Sequence, residues 1–150
     1  MAGAAANCAG ETEGTARSQR RSVAMIGNLP KEVLVVEDEA LVRMVAADAL
    51  SECGIMAWEA ADADEALEVL ERHPRIGLLF TDVDMPGLMD GLGLAHEVNA
   101  ARPDVELIVT SGAVSVPDDA MPDNGTFLPK PYPTNRLVDL VMRKLDGPKG

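Results

Sequence analysis

The stretch Gly77-Leu78-Leu79-Phe80-Thr81-Asp82-Val83-Asp84-Met85-Pro86-Gly87 decides the fold of this chain. Its apolar run leads into Thr81 and a carboxylate, and Pro86 and Gly87 interrupt the chain just beyond. A continuous apolar run bounded by turn formers predicts a strand buried on both faces. We therefore expect Asp82 at the end of a central strand, where open parallel α/β sheets bind their ligands. Taken alone, such an Asp also fits a loop-capping role.

Strand-like and helix-like segments alternate along the rest of the chain. This alternation predicts a doubly wound α/β fold, in which right-handed crossovers place helices on both faces of a parallel sheet. The predicted strands, besides the one that ends at Asp82, cover 33–36, 55–59, 105–110 and 126–128, and the predicted helices cover 40–53, 62–73, 92–98 and 137–145.

Composition limits the domain count and the classes of partner. A chain of 150 residues suits one domain, which we expect over 31–148, after a flexible tail over 1–30 that is rich in Ala, Gly, Ser and Thr. The net charge of −12 argues against nucleic acid and anionic membranes as partners. No apolar run approaches the roughly 20 residues that span a bilayer, and the tail lacks the apolar core of a secretory signal. We expect a cytoplasmic protein.

Groups that carry chemistry stand at the ends of four of the five predicted strands: Glu37 and Asp38, then Asp82, Ser111 and Lys130. In a parallel sheet these ends lie at one edge, so residues distant in sequence are brought together. Two carboxylates about 4 Å apart repel by about 4 kcal/mol at an effective dielectric constant near 20. Three carboxylates therefore need a cation or a proton, and Mg²⁺ suits an all-oxygen site.

A metal ion, the Lys130 ammonium and the Ser111 hydroxyl would together surround an anion attached to Asp82. This arrangement suits phosphoryl transfer to a carboxylate nucleophile, because catalysis of that reaction rests on positioning and on stabilising charge.

From about residue 31 to residue 145, the chain resembles a receiver domain of the two-component response regulators. The resemblance implies a flavodoxin-like, five-stranded parallel sheet with strand order 2-1-3-4-5. The matching motifs, in chain order, are Val36-Glu37-Asp38, Thr81-Asp82-Val83-Asp84-Met85-Pro86-Gly87, Asp90-Gly91, Ser111-Gly112 and Lys130-Pro131.

The resemblance implies a Mg²⁺ site around the phosphoacceptor, Asp82. Asp38 and Asp82 would bind the ion directly, Glu37 would bind it through water, and the main-chain carbonyl of Asp84 would complete the protein ligands. The pair Glu37-Asp38 departs from the commoner Asp-Asp pair, and the water-bridged position can absorb that change. Asp84 adds a fourth carboxylate, two residues after the phosphoacceptor.

The resemblance also assigns the residues that respond to phosphorylation. Ser111 and Lys130 would contact the phosphoryl oxygens, and a cis Lys130–Pro131 bond would direct the lysine side chain toward Asp82. Ser111 and Phe127 would act as the switch pair, although Phe127 lacks the hydroxyl group of a tyrosine.

The segment between Ser111 and Lys130 usually holds a complete fourth helix in the family. Here Pro117, Pro122 and Gly125 leave room for about one turn, so we expect a short or irregular fourth helix. We further expect residues 113–124 to be mobile at rest and to become ordered on phosphorylation or on binding of a partner.

The resemblance implies a single-domain response regulator and not an enzyme in the usual sense. The chain would take part in its own phosphotransfer and autodephosphorylation. Its phosphodonor would be a sensor histidine kinase or a histidine phosphotransfer protein, and it would signal to a downstream protein partner.

The alternative function is a phosphatase of the haloacid dehalogenase class. In that interpretation Asp82 is the nucleophile and Asp84 is the general acid of an Asp-x-Asp motif. The order of the motifs argues against it, because those enzymes open with Asp-x-Asp and place their acidic pair last. A pseudo-receiver that serves only for docking is a third interpretation, and the complete set of Asp38, Asp82, Ser111 and Lys130 argues against it.

Overall fold

The computed structural model describes residues 31–112, 116–123 and 125–146 of the chain. The expected tail over 1–30 lies outside the described residues. The predicted alternation of strands and helices is confirmed. The strands are β1 Glu32–Val36, β2 Ala57–Ala60, β3 Ile76–Asp82, β4 Glu106–Ser111 and β5 Gly125–Pro129, and the helices are α1 Ala40–Glu52, α2 Ala63–Arg72, α3 Gly91–Ala101 and α4 Thr134–Asp146.

The five strands form one parallel sheet in the order β2-β1-β3-β4-β5, which confirms the flavodoxin-like topology. In the register, the β1 residue Val36 lies opposite Thr81, Asp82 lies opposite Thr110, and Ser111 lies opposite Pro129. The carboxyl ends of four neighbouring strands therefore finish at nearly the same level. This level is the edge at which the candidate site forms.

The hydrophobic core has two layers, one on each face of the sheet. Leu70 of α2 and Leu94 of α3 pack on one face, and Leu50 of α1 and Leu137 of α4 pack on the other. The central strand β3 is buried along its whole length, as its continuous apolar run predicts. A central strand fixed from both faces holds Asp82 in a defined position.

Side-chain caps define the first turn of two helices. The amide of Glu65 donates to Oδ1 of Asp62 at 2.9 Å, and the Glu65 side chain accepts from the amide of Ala61 at 2.8 Å. The capping box predicted for α2 is thus present, with the returning bond made one residue earlier than usual. At α3, the amide of Gly93 donates to Oδ1 of Asp90 at 2.8 Å.

The predicted position of the second strand is wrong by up to two residues. The apolar character of 55–59 predicts a strand there, but β2 covers Ala57–Ala60. The amide of Ile55 donates to the carbonyl of Leu50 at 3.0 Å and so still belongs to the end of α1. Gly54 permits this helix ending, since its φ of 84° lies in the left-handed region.

Between β4 and β5, the described residues contain a single 3₁₀ turn, Asp118–Ala120, in place of a complete helix. The expectation of about one turn is confirmed for 116–123, whereas 113–115 and 124 lie outside the described residues. Val116 and Met121 pack against the core on the α2–α3 face. His96 of α3 hydrogen-bonds through Nε2 to the carbonyl of Ala120 at 2.8 Å.

Among the described helices, none combines the length and the apolar composition needed to cross a bilayer.

The start of α3 lies directly against the end of β3. The amide of Gly91 donates to the carbonyl of Val83 at 3.0 Å, and a Cβ atom on Gly91 would overlap the carbonyl oxygen of Asp82. Only glycine permits this approach, so Gly91 sets how closely the helix can pack beside the candidate site.

We predict that Gly91→Ala lowers the free energy of unfolding by about 1–3 kcal/mol, because the added methyl group must push α3 away from the backbone of Asp82. Urea denaturation measures this change. Gly93→Ala is the control in the same helix, since its Cβ meets mainly the flexible Met89 side chain, 3.1 Å away. A cost for Gly91→Ala no larger than that for Gly93→Ala would contradict this account of the junction.

Candidate functional site

Three carboxylates meet at the carboxyl edge of the sheet. Glu37 and Asp38 follow β1, and Asp82 is the last residue of β3. One carboxylate oxygen from each of the three lies within 4.8 Å of the others. Glu37 and Asp82 are buried, and Asp38 is exposed. Such an all-oxygen cluster, open on one side, has the donor atoms that a hard divalent cation prefers.

The ammonium group of Lys130 joins two of these carboxylates. Its Nζ lies 3.2 Å from Oε1 of Glu37 and 3.2 Å from Oδ2 of Asp82. The lysine follows β5, and its amide donates to the carbonyl of Ser111 at 3.1 Å. The Lys130–Pro131 peptide bond is cis, as expected from the sequence.

Burial and neighbouring charge shift the pKa values of groups in this cluster. Burial raises the pKa of Glu37, as does the charge of Asp82, while the amide of Glu39 and the Lys130 ammonium act in the opposite direction. Burial acts to lower the pKa of Lys130, but its hydrogen bonds to Asp82 and Glu37 and their charges outweigh burial and raise it. Lys130 therefore carries a full positive charge at neutral pH. Burial also raises the pKa of Tyr132 to about 12.

The second carboxylate oxygen of Asp82 also has a donor. The amide of Asp84 donates to Oδ1 of Asp82 at 3.2 Å. The backbone beside it is held by the amide of Val83, which donates to the carbonyl of Thr110 at 2.8 Å. Both carboxylate oxygens are thus hydrogen-bonded, and the carboxylate of Asp82 has a defined orientation.

Ser111 ends β4 and is buried, and its hydroxyl group donates to Oδ2 of Asp84 at 3.0 Å. The sequence indicated both residues as site residues but gave no signal that they contact each other. Phe127 of β5 is half-buried and packs against the core on the α2–α3 face.

Arg43 supports the site, although no sequence pattern drew attention to it. Its Nη1 donates to the main-chain carbonyl of Glu37 at 2.7 Å, and its Nε donates to Glu59 at 3.2 Å. The guanidinium thereby ties the loop that carries Glu37 and Asp38 to α1 and β2. An arginine in a helix that follows an acidic pair is too common to signal such a role.

An apolar groove of about 420 Å³ opens beside the site, between α1 and the segment after β5. Leu41 and Val45 of α1 line it together with Pro131 and Tyr132. Leu41 remains 72% exposed and Val45 53% exposed. Apolar side chains left this open are typical of surfaces that contact another protein.

Comparison with known proteins identifies the architecture. The family model described as "Response regulator receiver domain" matches residues 33–142. The sensor kinase CckA of Brucella abortus (strain 2308) is 38% identical over 121 residues, which are 76% of this chain and 12% of CckA. The transcriptional regulatory protein PdtaR of Mycobacterium tuberculosis (strain CDC 1551 / Oshkosh) is 36% identical over 118 residues, which are 75% of this chain and 56% of PdtaR.

A solved structure with the same fold is the receiver domain of NtrX from Brucella abortus. It superposes with a TM-score of 0.70 at 30% identity and covers 77% of this chain and 98% of that domain. The chain thus spans nearly the whole of a solved receiver domain, but only about half of PdtaR and a small part of CckA.

We predict that Lys130→Met lowers the free energy of unfolding by about 1–3 kcal/mol, because it leaves the buried carboxylates of Glu37 and Asp82 without their shared cation. Chemical denaturation at neutral pH without added metal measures the loss. Arg143→Met is the control, since Nη2 of Arg143 lies 3.2 Å from Oδ2 of Asp139 in an ion pair that is largely exposed on both sides, and its loss is expected to cost at most about 1 kcal/mol. Equal losses in the two variants would contradict the role given to Lys130.

Proposed function

The chain belongs to the family of response regulator receiver domains, and on that premise we propose that Asp82 accepts a phosphoryl group from a histidine kinase or a histidine phosphotransfer protein. The observation that carries this proposal is the buried Asp82 carboxylate, held by the Asp84 amide at one oxygen and by the Lys130 ammonium at the other. A carboxylate fixed in this way is oriented for attack on phosphorus.

In the proposed step, a carboxylate oxygen of Asp82 attacks the phosphorus atom of a phosphohistidine. The O–P bond forms as the P–N bond breaks, and the electron pair of the broken bond stays on the imidazole nitrogen, which takes up a proton from solvent. Lys130 stabilises the negative charge on the transferred group, and its hydrogen bonds keep it beside Asp82 before the donor arrives.

Mg²⁺ is the proposed cofactor. Asp38 and Asp82 would bind it directly, Glu37 through water, and Asp84 through its main-chain carbonyl. The fit rests on the three clustered carboxylates, because one ammonium group leaves them with a net negative charge that suits a divalent cation. When bound, the ion would supply positive charge beside the transferred phosphoryl group.

We further propose that Ser111 and Phe127 report phosphorylation to a downstream protein partner. The Ser111 hydroxyl would turn to the phosphoryl group, and the Phe127 ring would follow by moving inward. Val116 and Met121 pack in the same part of the core as Phe127, so a change there would reach the surface of the β4–β5 segment. The apolar groove beside α1 supports docking of a protein phosphodonor close to Asp82.

Protein partners suit the charge of the chain better than nucleic acid or membranes do, since the net charge is −12. In this proposal the domain is a signalling module whose only chemistry is its own phosphotransfer and autodephosphorylation. The cytoplasmic location stays a prediction of the proposal. The expectation of a single-domain regulator also stays a prediction, because CckA and PdtaR are longer than this chain.

The alternative of a haloacid dehalogenase-like phosphatase rests on the motif Asp82-x-Asp84. That motif lies on the third strand of the chain, after the acidic pair that follows β1, whereas those enzymes carry it first. The side chain of Asp84, the general acid in that interpretation, accepts a hydrogen bond from the hydroxyl group of Ser111, so its carboxylate is already engaged within the domain. These observations favour the receiver function.

We predict that acetyl phosphate and Mg²⁺ add one phosphoryl group to the chain as an acyl phosphate, and that Asp82→Asn abolishes the addition. Intact-mass spectrometry after brief incubation measures it. Chelation of Mg²⁺ should slow the reaction on the order of a hundredfold. Asp48→Asn is the control, since Asp48 is an exposed residue of α1. Undiminished phosphorylation of Asp82→Asn would refute the assignment, and rapid multiple turnover of phosphate esters would favour the phosphatase.

We predict opposite effects of Asp38→Asn on stability without and with Mg²⁺. Without the ion, the variant should gain up to about 1 kcal/mol, because one of three repelling carboxylates becomes neutral. With the ion, the unaltered chain should gain stability as binding saturates, and the variant should gain much less. Thermal unfolding over a Mg²⁺ titration tests both signs. An equal Mg²⁺-dependent rise in both proteins would exclude Asp38 as a ligand.

We predict that beryllofluoride with Mg²⁺ raises amide protection across residues 113–124. At rest, the regular structure in the described part of this segment is a single 3₁₀ turn, supported by a contact to His96 and by packing of Val116 and Met121 on the core, so its backbone amides can gain protection. Hydrogen exchange read by mass spectrometry measures the change, and peptides from α2 (Ala63–Arg72) serve as the internal control. Unchanged protection in 113–124 would rule out an order–disorder switch.

A further inference from the structure

The hydroxyl group of Ser111 is already engaged by a carboxylate in the resting domain. Oγ of Ser111 donates to Oδ2 of Asp84 at 3.0 Å, and the serine is only 2% exposed. In the proposed function this same hydroxyl turns to the phosphoryl group on Asp82. A hydroxyl has one hydrogen to donate, so it cannot donate fully to both acceptors at once.

Asp84 acts on its two neighbours through different atoms. Its main-chain amide donates to Oδ1 of Asp82 at 3.2 Å, whereas its side chain accepts from Ser111. A substitution at position 84 therefore changes the partner of the hydroxyl while the main-chain amide and carbonyl remain. The phosphoacceptor contact and the serine contact can for this reason be separated by experiment.

From this geometry we infer that Asp84 is a positioning residue that restrains Ser111 and so opposes the phosphorylated state. The inference rests on the proposed function and adds a regulatory element to the same site. Phosphorylation must withdraw the hydroxyl from a charged acceptor, and hydrogen bonds to ionised groups are about twice as strong as neutral ones. The negative charge of Asp84 adds repulsion toward the phosphoryl group, independently of Ser111.

A double-mutant cycle separates these two effects. Its members are the unaltered chain, Asp84→Ala, Ser111→Ala and the double variant, and its readout is the affinity for beryllofluoride at saturating Mg²⁺. In the Ser111→Ala background, Asp84→Ala removes only repulsion, and we expect binding to tighten about twofold. With Ser111 present, the same substitution also releases the hydroxyl group, and we expect beryllofluoride to bind about tenfold more tightly.

Two further variants serve as controls. Asp84→Asn keeps a neutral acceptor for the hydroxyl group of Ser111. Its affinity for beryllofluoride should therefore lie between those of the unaltered chain and Asp84→Ala. Asp48→Asn removes one carboxylate from an exposed position on α1 and measures the effect of net charge alone. Unfolding free energies without beryllofluoride report any purely structural effect, which would not produce the coupling between the two positions.

A coupling of about fivefold between positions 84 and 111 supports the inference, since it is on the order of one net hydrogen bond. Equal fold-changes in the two backgrounds would overturn it, and so would an unchanged affinity for Asp84→Ala when Ser111 is present. Failure of the unaltered chain to bind beryllofluoride with Mg²⁺ would overturn the proposed function itself. Normal binding without coupling would overturn only the role of Asp84.

Discussion

The shared ammonium group of Lys130 is the interaction on which the rest of the site depends. It contacts Glu37 and Asp82, which lie 93 and 48 residues away in the sequence, each at 3.2 Å. Both carboxylates are buried, and a buried charge is costly unless it is paired. A parallel sheet supplies the pairing, because it brings the carboxyl ends of β1, β3 and β5 to one edge.

The ammonium group of Lys130 does not neutralise the whole cluster. One ammonium faces three clustered carboxylates, so the site retains negative charge that suits a divalent cation. Asp84 adds a further carboxylate but directs it at the Ser111 hydroxyl. In the proposed function, the same few residues would hold the nucleophile, bind a cation and restrain the group that senses the product. Each proposed role depends on where a strand ends and on which neighbours the residues there contact.

Much of this arrangement could be predicted from the sequence, because the apolar run before Asp82 and the alternation of strands and helices fix the sheet, and a parallel sheet gathers its strand ends. The cap at Asp62 followed from a short motif in the same way. Contacts between side chains distant in sequence could not be predicted: Arg43 with the carbonyl of Glu37, and Ser111 with Asp84, depend on rotamers that no local pattern determines. The start of β2 was misplaced because Ile55 bonds back to α1, a choice its apolar character does not reveal.

In the proposed function, phosphorylation on Asp82 gives Lys130 and Ser111 new hydrogen-bond partners. A crystal structure of the chain with Mg²⁺ and beryllofluoride would show both changes at once. We expect beryllium on a carboxylate oxygen of Asp82, Mg²⁺ bound by Asp38 and Asp82, and both Nζ of Lys130 and Oγ of Ser111 beside fluorine atoms. Beryllofluoride bound at Asp82 with Ser111 still donating to Asp84 and Lys130 still bridging Glu37 and Asp82 would refute this exchange of partners.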